Sequence, residues 1–244
     1  MDRPEFATDA GVERILVVVA HPDDIDFGVA GSVATWTDAG IEVTYCLVTS
    51  GDAGGDDRDQ PRKEMARVRE AEQTAAAALV GVHRLRFLHQ ADGRVEANLD
   101  LRRDLSRVIR QERPQRVITQ SPERLWDRIY ASHPDHLAVG EATTAALYPD
   151  ARNPFAHPDL LDGEGLEPWT VPQLWLMARP DPNVAVDVTD VLERKIAALQ
   201  SHASQVQDPT MIERLIRDWA ADSARNAGLP DGRCAEIFRA VDTR

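Results

Sequence analysis

Two short clusters, Ala20-His21-Pro22-Asp23-Asp24 and Ser132-His133-Pro134-Asp135-His136, hold the ingredients of a hydrolytic metal site. A catalytic zinc ion usually takes three protein ligands from His, Asp and Glu and keeps a fourth position for water, whose pKa falls to about 7. The clusters supply two histidines and a carboxylate with residues left over. The surplus matters, because hydrolysis also needs a base for the water's proton and an acid or electrophile for the leaving group. Successive residues just past a strand point in different directions, so Asp23 and Asp24 can divide the work, one facing water and the other metal. Either cluster alone also reads as a capped helix start. Two unrelated turns would rarely both place His and Asp at the carboxyl ends of parallel strands, where one cleft can collect them.

The elements that must position these residues alternate. Ile15 to Val19 is an apolar run that reads as a buried parallel strand, which puts His21 to Asp24 where its carboxyl end meets a helix. That helix is expected from Asp26 to Ala39, ended by Gly40. Ile41 to Thr49 forms a second strand and runs into a glycine-rich, charged loop, Ser50 to Asp57. Pro61 opens a helix to Leu79, Leu85 to Leu88 is a third strand, and Asn98 caps a helix that Pro114 stops. Arg116 to Gln120 is a fourth strand, 121–132 a loop, and Pro134 suits the first turn of the helix that carries the second cluster. Such alternation describes βαβ crossovers: an α/β, Rossmann-like, mostly parallel sheet flanked by helices, with the metal site at the C-terminal ends of the strands. The proline-rich stretch 149–172 reads as an irregular insertion lining the site and setting specificity. Beyond it come strands at 173–177 and 184–188 and helices at 190–204 and 209–226.

Composition sets the bounds. A chain of 244 residues, 43% hydrophobic and 28% charged, fits one large α/β domain spanning 1–244. No segment approaches the ~20 apolar residues of a membrane span, and the opening Met1 to Ala7 is polar, so a cytoplasmic protein without a membrane partner is expected. A net charge of −13 argues against nucleic acid as a partner, since phosphate-backbone binding needs clustered Lys and Arg. The two cysteines, Cys46 and Cys234, form no CxxC pair and read as ordinary thiols.

The motifs carry a resemblance: the chain is similar to the PIG-L/LmbE-like family of zinc-dependent N-deacetylases. The match runs through the Ala-His-Pro-Asp-Asp start, Thr49-Ser50-Gly51-Asp52, Arg69 and Glu72, Asp92-Gly93, His133-Pro134-Asp135-His136, Lys195 with His202-Ala203-Ser204-Gln205, and Ala235 to Arg239. It implies that His21, Asp24 and His136 bind one Zn2+, that Asp23 is the general base, and that His133 is the general acid or oxyanion stabiliser. Asp135, close to His133 in the sequence, is expected to hold that imidazole in one tautomer and raise its pKa. Arg69 and Asp92 correspond to family positions that contact sugar hydroxyls; for Arg69 the alternative is a surface ion pair. Tyr130 stands near the position of a carbonyl-polarising tyrosine in some relatives, or else is a loop aromatic covering the cleft. Lys195 and His202 fall seven apart on one helix face and read as packing. Where the family commonly follows the second aspartate with glutamate, this chain has Ile25-Asp26, a change expected in the surroundings of the site.

The implied function is removal of acetyl from an N-acetylglucosamine-type amino sugar or small glycoconjugate, giving acetate and a free amine. Two alternatives stand beside it: an amidase for another small conjugate, such as a thiol conjugate or antibiotic intermediate, and a noncatalytic sugar-binding module. Oligomeric state is open, although homo-oligomers are common among soluble enzymes.

Overall fold

The computed structural model describes residues 3–55 and 57–244; Met1 and Asp2 of the polar start and Asp56 of the charged loop lie outside the described residues. Among the described residues eight strands form one sheet: β1 (Glu5–Phe6), β2 (Arg14–Val19), β3 (Glu42–Thr49), β4 (Arg84–Gln90), β5 (Arg116–Gln120), β6 (Gln173–Met177), β7 (Val184–Asp187) and β8 (Ala235–Asp242). Their order is β1-β7-β8-β6-β5-β2-β3-β4. Pairing is parallel except at β8, which lies antiparallel between β6 and β7.

Burial follows the pleat. Ile15, Val17 and Val19 of β2 join one core with Tyr45 and Leu47 of β3, while Leu16 and Val18 join the other with Cys46 and Val48. Period-two side chains therefore fill both faces, which is why β2 reads as an unbroken apolar run. The first face is covered by α1 (Asp24–Gly28), α2 (Ala30–Asp38), α3 (Arg62–Leu79) and α7 (Leu192–Gln200), and the second by α4 (Leu99–Glu112) and α5 (Pro134–Ala145). The short α6 (Pro158–Asp162) lies in the insertion, and α8 (Pro209–Ala227) packs beside α7.

The elements differ from expectation in several places, among them β1, which the polar start did not announce. The first helix is broken at Val29 (φ −146°, ψ 0°), separating α1 from α2. The last strand, β8, comes from a stretch with no expected strand. His202 falls beyond the end of α7, in a turn.

The insertion lies elsewhere than expected. It follows α5 and enters β6, so it belongs to the edge where strands begin, whereas both clusters lie where strands end. Arg110, on the last turn of α4, donates to the carbonyls of Asp150, Ala151, Asn153, Ala156 and Leu166. Trp169 Nε1 donates to Pro114 O at 2.8 Å, just before β5. These bonds fix 149–172 on α4 and the entry to β5, which corrects the reading of that stretch as a specificity loop over the site.

Candidate metal centre

Chain order carries β2 to β3 and β4 on one side, then back across β2 to β5 and β6 on the other. The winding reverses between β2 and β5, and the crevice outside the carboxyl ends of two such strands is where doubly wound sheets bind ligands. His21-Pro22-Asp23-Asp24 leaves β2 there, and His133-Pro134-Asp135-His136 follows β5 there.

Neighbouring strands hold the first cluster in place. Ala20 donates to Gln120 Oε1 (3.1 Å), and its carbonyl accepts from both the amide and the hydroxyl of Thr49, each at 2.9 Å. The second cluster is set by the approach of α5 to the end of β5. A Cβ added to Gly140 would lie 2.4 Å from Gln120 O and 2.8 Å from Pro122 N, so only glycine permits this packing. His133 caps α5, with Pro134 at its first turn.

Three side chains converge in a triangle. His21 Nδ1 lies 3.2 Å from His136 Nε2 and 3.4 Å from Asp24 Oδ2, and His136 Nε2 lies 3.0 Å from Asp24 Oδ1. Tetrahedral ligands bound at about 2.0–2.1 Å are separated by about 3.3 Å, so these separations are of the size a zinc ion needs, with Asp24 turning Oδ1 to His136 and Oδ2 to His21. A nitrogen of His133 also lies in a looser group with His21 and His136, all within 4.8 Å of one another. His21, Asp24 and His136 approach one another more closely than that group and could hold such an ion.

The outward nitrogens of the two histidines also fit. His21 Nε2 faces Asp92 Oδ1 (3.1 Å) and Asp135 Oδ2 (3.2 Å), and His136 Nδ1 faces Ala131 O (3.3 Å). Carboxylate or carbonyl partners at the remote nitrogen are what metal-bound histidines use to fix their tautomer. The same groups shape the electrostatics. Burial opposes an imidazolium at His21, but hydrogen bonds to Asp135, Asp24 and Asp92 outweigh it and raise its pKa to about 12. Burial would raise Asp24, yet His136 and His21 hold it well below the ordinary carboxylate range. So many acceptors around one imidazole call for a cation, and a metal would displace the proton that answers this demand.

Asp23 is set apart from the triangle. It precedes α1 with φ 90° and ψ −27°, and its side chain makes no helix cap. Arg69 instead donates to Asp23 Oδ2 (3.1 Å), to Pro22 O (2.6 Å) and to Gly51 O (3.1 Å). Gly51 has φ +65°, and any Cβ there would collide with that guanidinium. Arg69 is 4% exposed, so the surface ion pair is ruled out in favour of a buried clamp. Burial first, then the charge of Asp24, pushes the Asp23 carboxyl up to about 7, against the opposing pull of Arg69, His202 and His21. A carboxylate poised near neutrality is suited to accept a proton.

His133 and Asp135 are not the pair that adjacency suggests. The Asp135 carboxylate accepts from Gly93 N (2.7 Å) and Val95 N (3.2 Å) and faces His21 Nε2, not the His133 ring. Only its backbone N–H meets His133, donating to Nδ1 at 3.2 Å. Asp135 follows His133, the residue that caps α5, by two positions, and residues two apart on a helix point about 200° around its axis, which separates the two side chains. The His133 pKa is lowered, by burial and then by the charge of His21, rather than raised. With Nδ1 accepting, the neutral ring carries its proton on Nε2.

Asp92 is brought into the site: its Oδ1 faces His21, and its Oδ2 accepts from Ala53 N at 3.1 Å. Asp52 secures it, accepting from Asp92 N (3.0 Å) and from Arg62 Nε (2.7 Å). Tyr130 stands at the rim, 62% exposed, its ring parallel to Trp219 of α8 with centroids 6.4 Å apart. Lys195 is structural, bound to Phe27 O and to Glu236, whose carboxylate also accepts from Gly31 N and Ser32 N at the start of α2. Two residues given no role from sequence reach Asp23 from behind: Gln73, whose Oε1 accepts from Asp23 N at 2.9 Å, and through it Asp26.

Fold and site together define a doubly wound α/β protein with a His/Asp group that could hold a metal, a separate carboxylate and a separate imidazole at its switch point. Residues 16–147 match the PIG-L family, GlcNAc-PI de-N-acetylase, and the chain belongs to that family. The diacetylchitobiose deacetylase of Thermococcus kodakarensis is 33% identical, over 80% of this chain and 70% of that protein. The 1D-myo-inositol 2-acetamido-2-deoxy-alpha-D-glucopyranoside deacetylase of Rhodococcus erythropolis is 30% identical, over 81% and 82%. Among solved structures, N,N'-diacetylchitobiose deacetylase from Pyrococcus horikoshii complexed with its inhibitor MPG matches with a TM-score of 0.88 at 28% identity, covering 96% of this chain and 86% of that one. Among the described residues no helix is long and apolar enough to cross a membrane.

Proposed function

We propose that this protein is a zinc-dependent N-deacetylase that hydrolyses the acetamide of an N-acetylglucosamine-type sugar or small glycoconjugate, yielding acetate and a free amine. The observation that carries this reading is the convergence of His21, Asp24 and His136, with closest approaches of 3.0–3.4 Å, beside a carboxylate and an imidazole that stand apart from them. Two curated relatives are named for removing acetyl from 2-acetamido sugars, which favours a sugar over other small amides and over a noncatalytic module.

In this reading His21, Asp24 and His136 would hold the zinc, which supplies Lewis-acid polarisation and lowers the pKa of water when bound. Asp23, with one oxygen held by Arg69, takes the proton of the attacking water on the other. The Nε2–H of His133 donates to the carbonyl oxygen as negative charge develops there, and such a donor contributes most at that moment. The proton then passes from Asp23 or His133 to the departing nitrogen. Asp92, beside His21, and Tyr130, at the rim, are assigned to binding the sugar. Asp135 acts by supporting His21. The whole of 1–244 is one catalytic domain in this proposal, and its free thiols, Cys46 and Cys234, suit a reducing cytoplasm.

The test is acetate release from N-acetylglucosamine and diacetylchitobiose by protein stripped of metal and then reloaded with zinc. Activity should vanish with the metal and return with it, and Asp23→Asn should lower kcat by about 10²–10⁴-fold with zinc still bound. Full activity in stripped protein rejects the zinc reading, and sugar binding without acetate release rejects catalysis.

A further inference from the structure

Behind Asp23 lies a chain of buried polar groups for which zinc binding and hydrolysis give no direct use. Asp23 N donates to Gln73 Oε1 (2.9 Å), Gln73 Nε2 donates to Asp26 Oδ2 (2.9 Å), and the same oxygen faces His202 Nε2 at 2.8 Å. Gln73, Asp26 and His202 are each 0% exposed. They come from α3, α1 and the turn after α7, so three separate segments meet behind the candidate base.

Chemistry fixes the direction of the chain. A backbone N–H can only donate and an ionised carboxylate can only accept, so the Gln73 amide must turn its oxygen to Asp23 and its nitrogen to Asp26. His202 faces the same carboxylate oxygen with a nitrogen, which must carry the proton. Asp26 and His202 thereby set the orientation of Gln73, and Gln73 sets the backbone of Asp23.

That backbone needs holding. With φ at 90°, Asp23 occupies a region that a residue with a Cβ enters only when its surroundings impose it. Arg69 and Gln73 lie four apart on one face of α3, and between them they grip Pro22 O, Asp23 N and Asp23 Oδ2. Packing alone does not explain the pair behind them. Asp26 Oδ1 and His202 Nδ1 are buried with no hydrogen-bond partner among the described residues. A buried ionic pair with unmet polar atoms is a poor means of stabilisation, since apolar residues of similar volume often do as well.

We infer that Gln73, oriented by the Asp26–His202 pair, is a positioning residue that holds Asp23 where it can take a proton from water; this rests on the reading of Asp23 as the base. It predicts a separation of kcat from both KM and metal binding. In zinc-loaded full-length protein acting on diacetylchitobiose, Gln73→Met should lower kcat by about 10–100-fold, the scale of a misplaced reacting group, with KM within about twofold. Zinc content, measured by metal analysis, should be unchanged. His202→Leu should lower kcat by about tenfold, and His202→Gln, which keeps an N–H for Asp26, should recover most of that loss.

Thermal melting identifies a variant that does not fold; in that case Gln73→Asn, which keeps the amide but withdraws its oxygen from Asp23, replaces Gln73→Met. A folded variant whose kcat stays within about twofold of the parent overturns the inference, as does zinc lost in step with activity. Equal loss in His202→Leu and His202→Gln also overturns it, since the pair would then act by volume alone. Asp23→Asn separates the two levels. If that variant keeps full kcat, the base reading itself fails, whereas an inactive Asp23→Asn beside a fully active Gln73→Met rejects the positioning role alone.

Discussion

Asp135 Oδ2 lies 3.2 Å from His21 Nε2, so the aspartate of the second cluster supports the histidine of the first across the switch point. The same carboxylate receives the amides of Gly93 and Val95, which makes it the joint between the loop after β4, the start of α5 and the end of β2. Support at the remote nitrogen of a metal-bound histidine is worth about 10–100-fold in metal affinity. Asp135→Asn is therefore expected to weaken zinc by about that factor in a chelator competition, with activity restored by excess zinc. Unchanged zinc affinity, with only the pH dependence of His133 altered, would return Asp135 to the role that adjacency suggests.

The environment of Asp23 predicts the acid limb of the reaction. Burial and Asp24 raise its pKa to about 7, and a base must be unprotonated to act, so kcat should fall as pH drops through the pKa of this group. A bound dication shifts the midpoint downward by favouring the carboxylate. Arg69 also favours the carboxylate, from 3.1 Å, so Arg69→Met should move the limb to higher pH. For metal-free protein the stability sign is opposite to that of a salt-bridged carboxylate. The folded pKa lies above the ordinary 3.8, so the folded state binds this proton more tightly, and the group's contribution to stability falls as pH rises from about 4 to about 7. Asp23→Asn should flatten that part of a Tm profile. An acid limb that stays in place in Arg69→Met would assign it to another group.

Arg110 ties down the 149–172 insertion on the far edge of the sheet. Its guanidinium reaches five carbonyls at 2.9–3.4 Å, and Arg110→Met would strand several of them. Unpaired buried groups cost about 1–3 kcal/mol each, so a total loss of about 3 kcal/mol and a Tm lower by about 6–12 °C are expected. Because the insertion stands away from the site, KM for diacetylchitobiose should not change. A raised KM in a variant that melts like the parent would put the insertion back at the site.

How much was legible in the sequence depends on how local each determinant is. The run Ile15–Val19 followed by His-Pro-Asp-Asp carries strand, turn and chemistry within a few residues, and Pro134 marks the helix start at the second cluster. The direction of Asp135 is a matter of helix rotation, since neighbours on a helix do not face each other. Gln73 is a neutral amide on the buried stripe Met65, Arg69, Gln73, Ala76 of a charged helix, where nothing local separates it from packing. The β8 stretch has buried Glu236 at its start, a break in apolar pattern explained by Lys195 and the start of α2. The edge on which 149–172 lies was available from topology, because a link from helix to strand in a parallel sheet returns to the strand starts; its proline content gave no direction.

Gly140 offers the most direct test that packing positions the chemistry. It stands four residues after His136, on the turn of α5 that rests on the end of β5. A Cβ at this position meets Gln120 O at 2.4 Å and Pro122 N at 2.8 Å, and backbone atoms cannot rotate away. Gly140→Ala must therefore displace α5 and carry His133 and His136 with it. Overpacking of this kind costs about 1–3 kcal/mol, and the shifted donor should weaken zinc by about tenfold or more. Exposed Glu141 provides the control, since Glu141→Ala changes the neighbouring position on the same helix without touching β5. Differential scanning calorimetry and zinc titration on both variants decide the matter. Equal behaviour of the two would mean that the site does not depend on the close approach of α5 to β5.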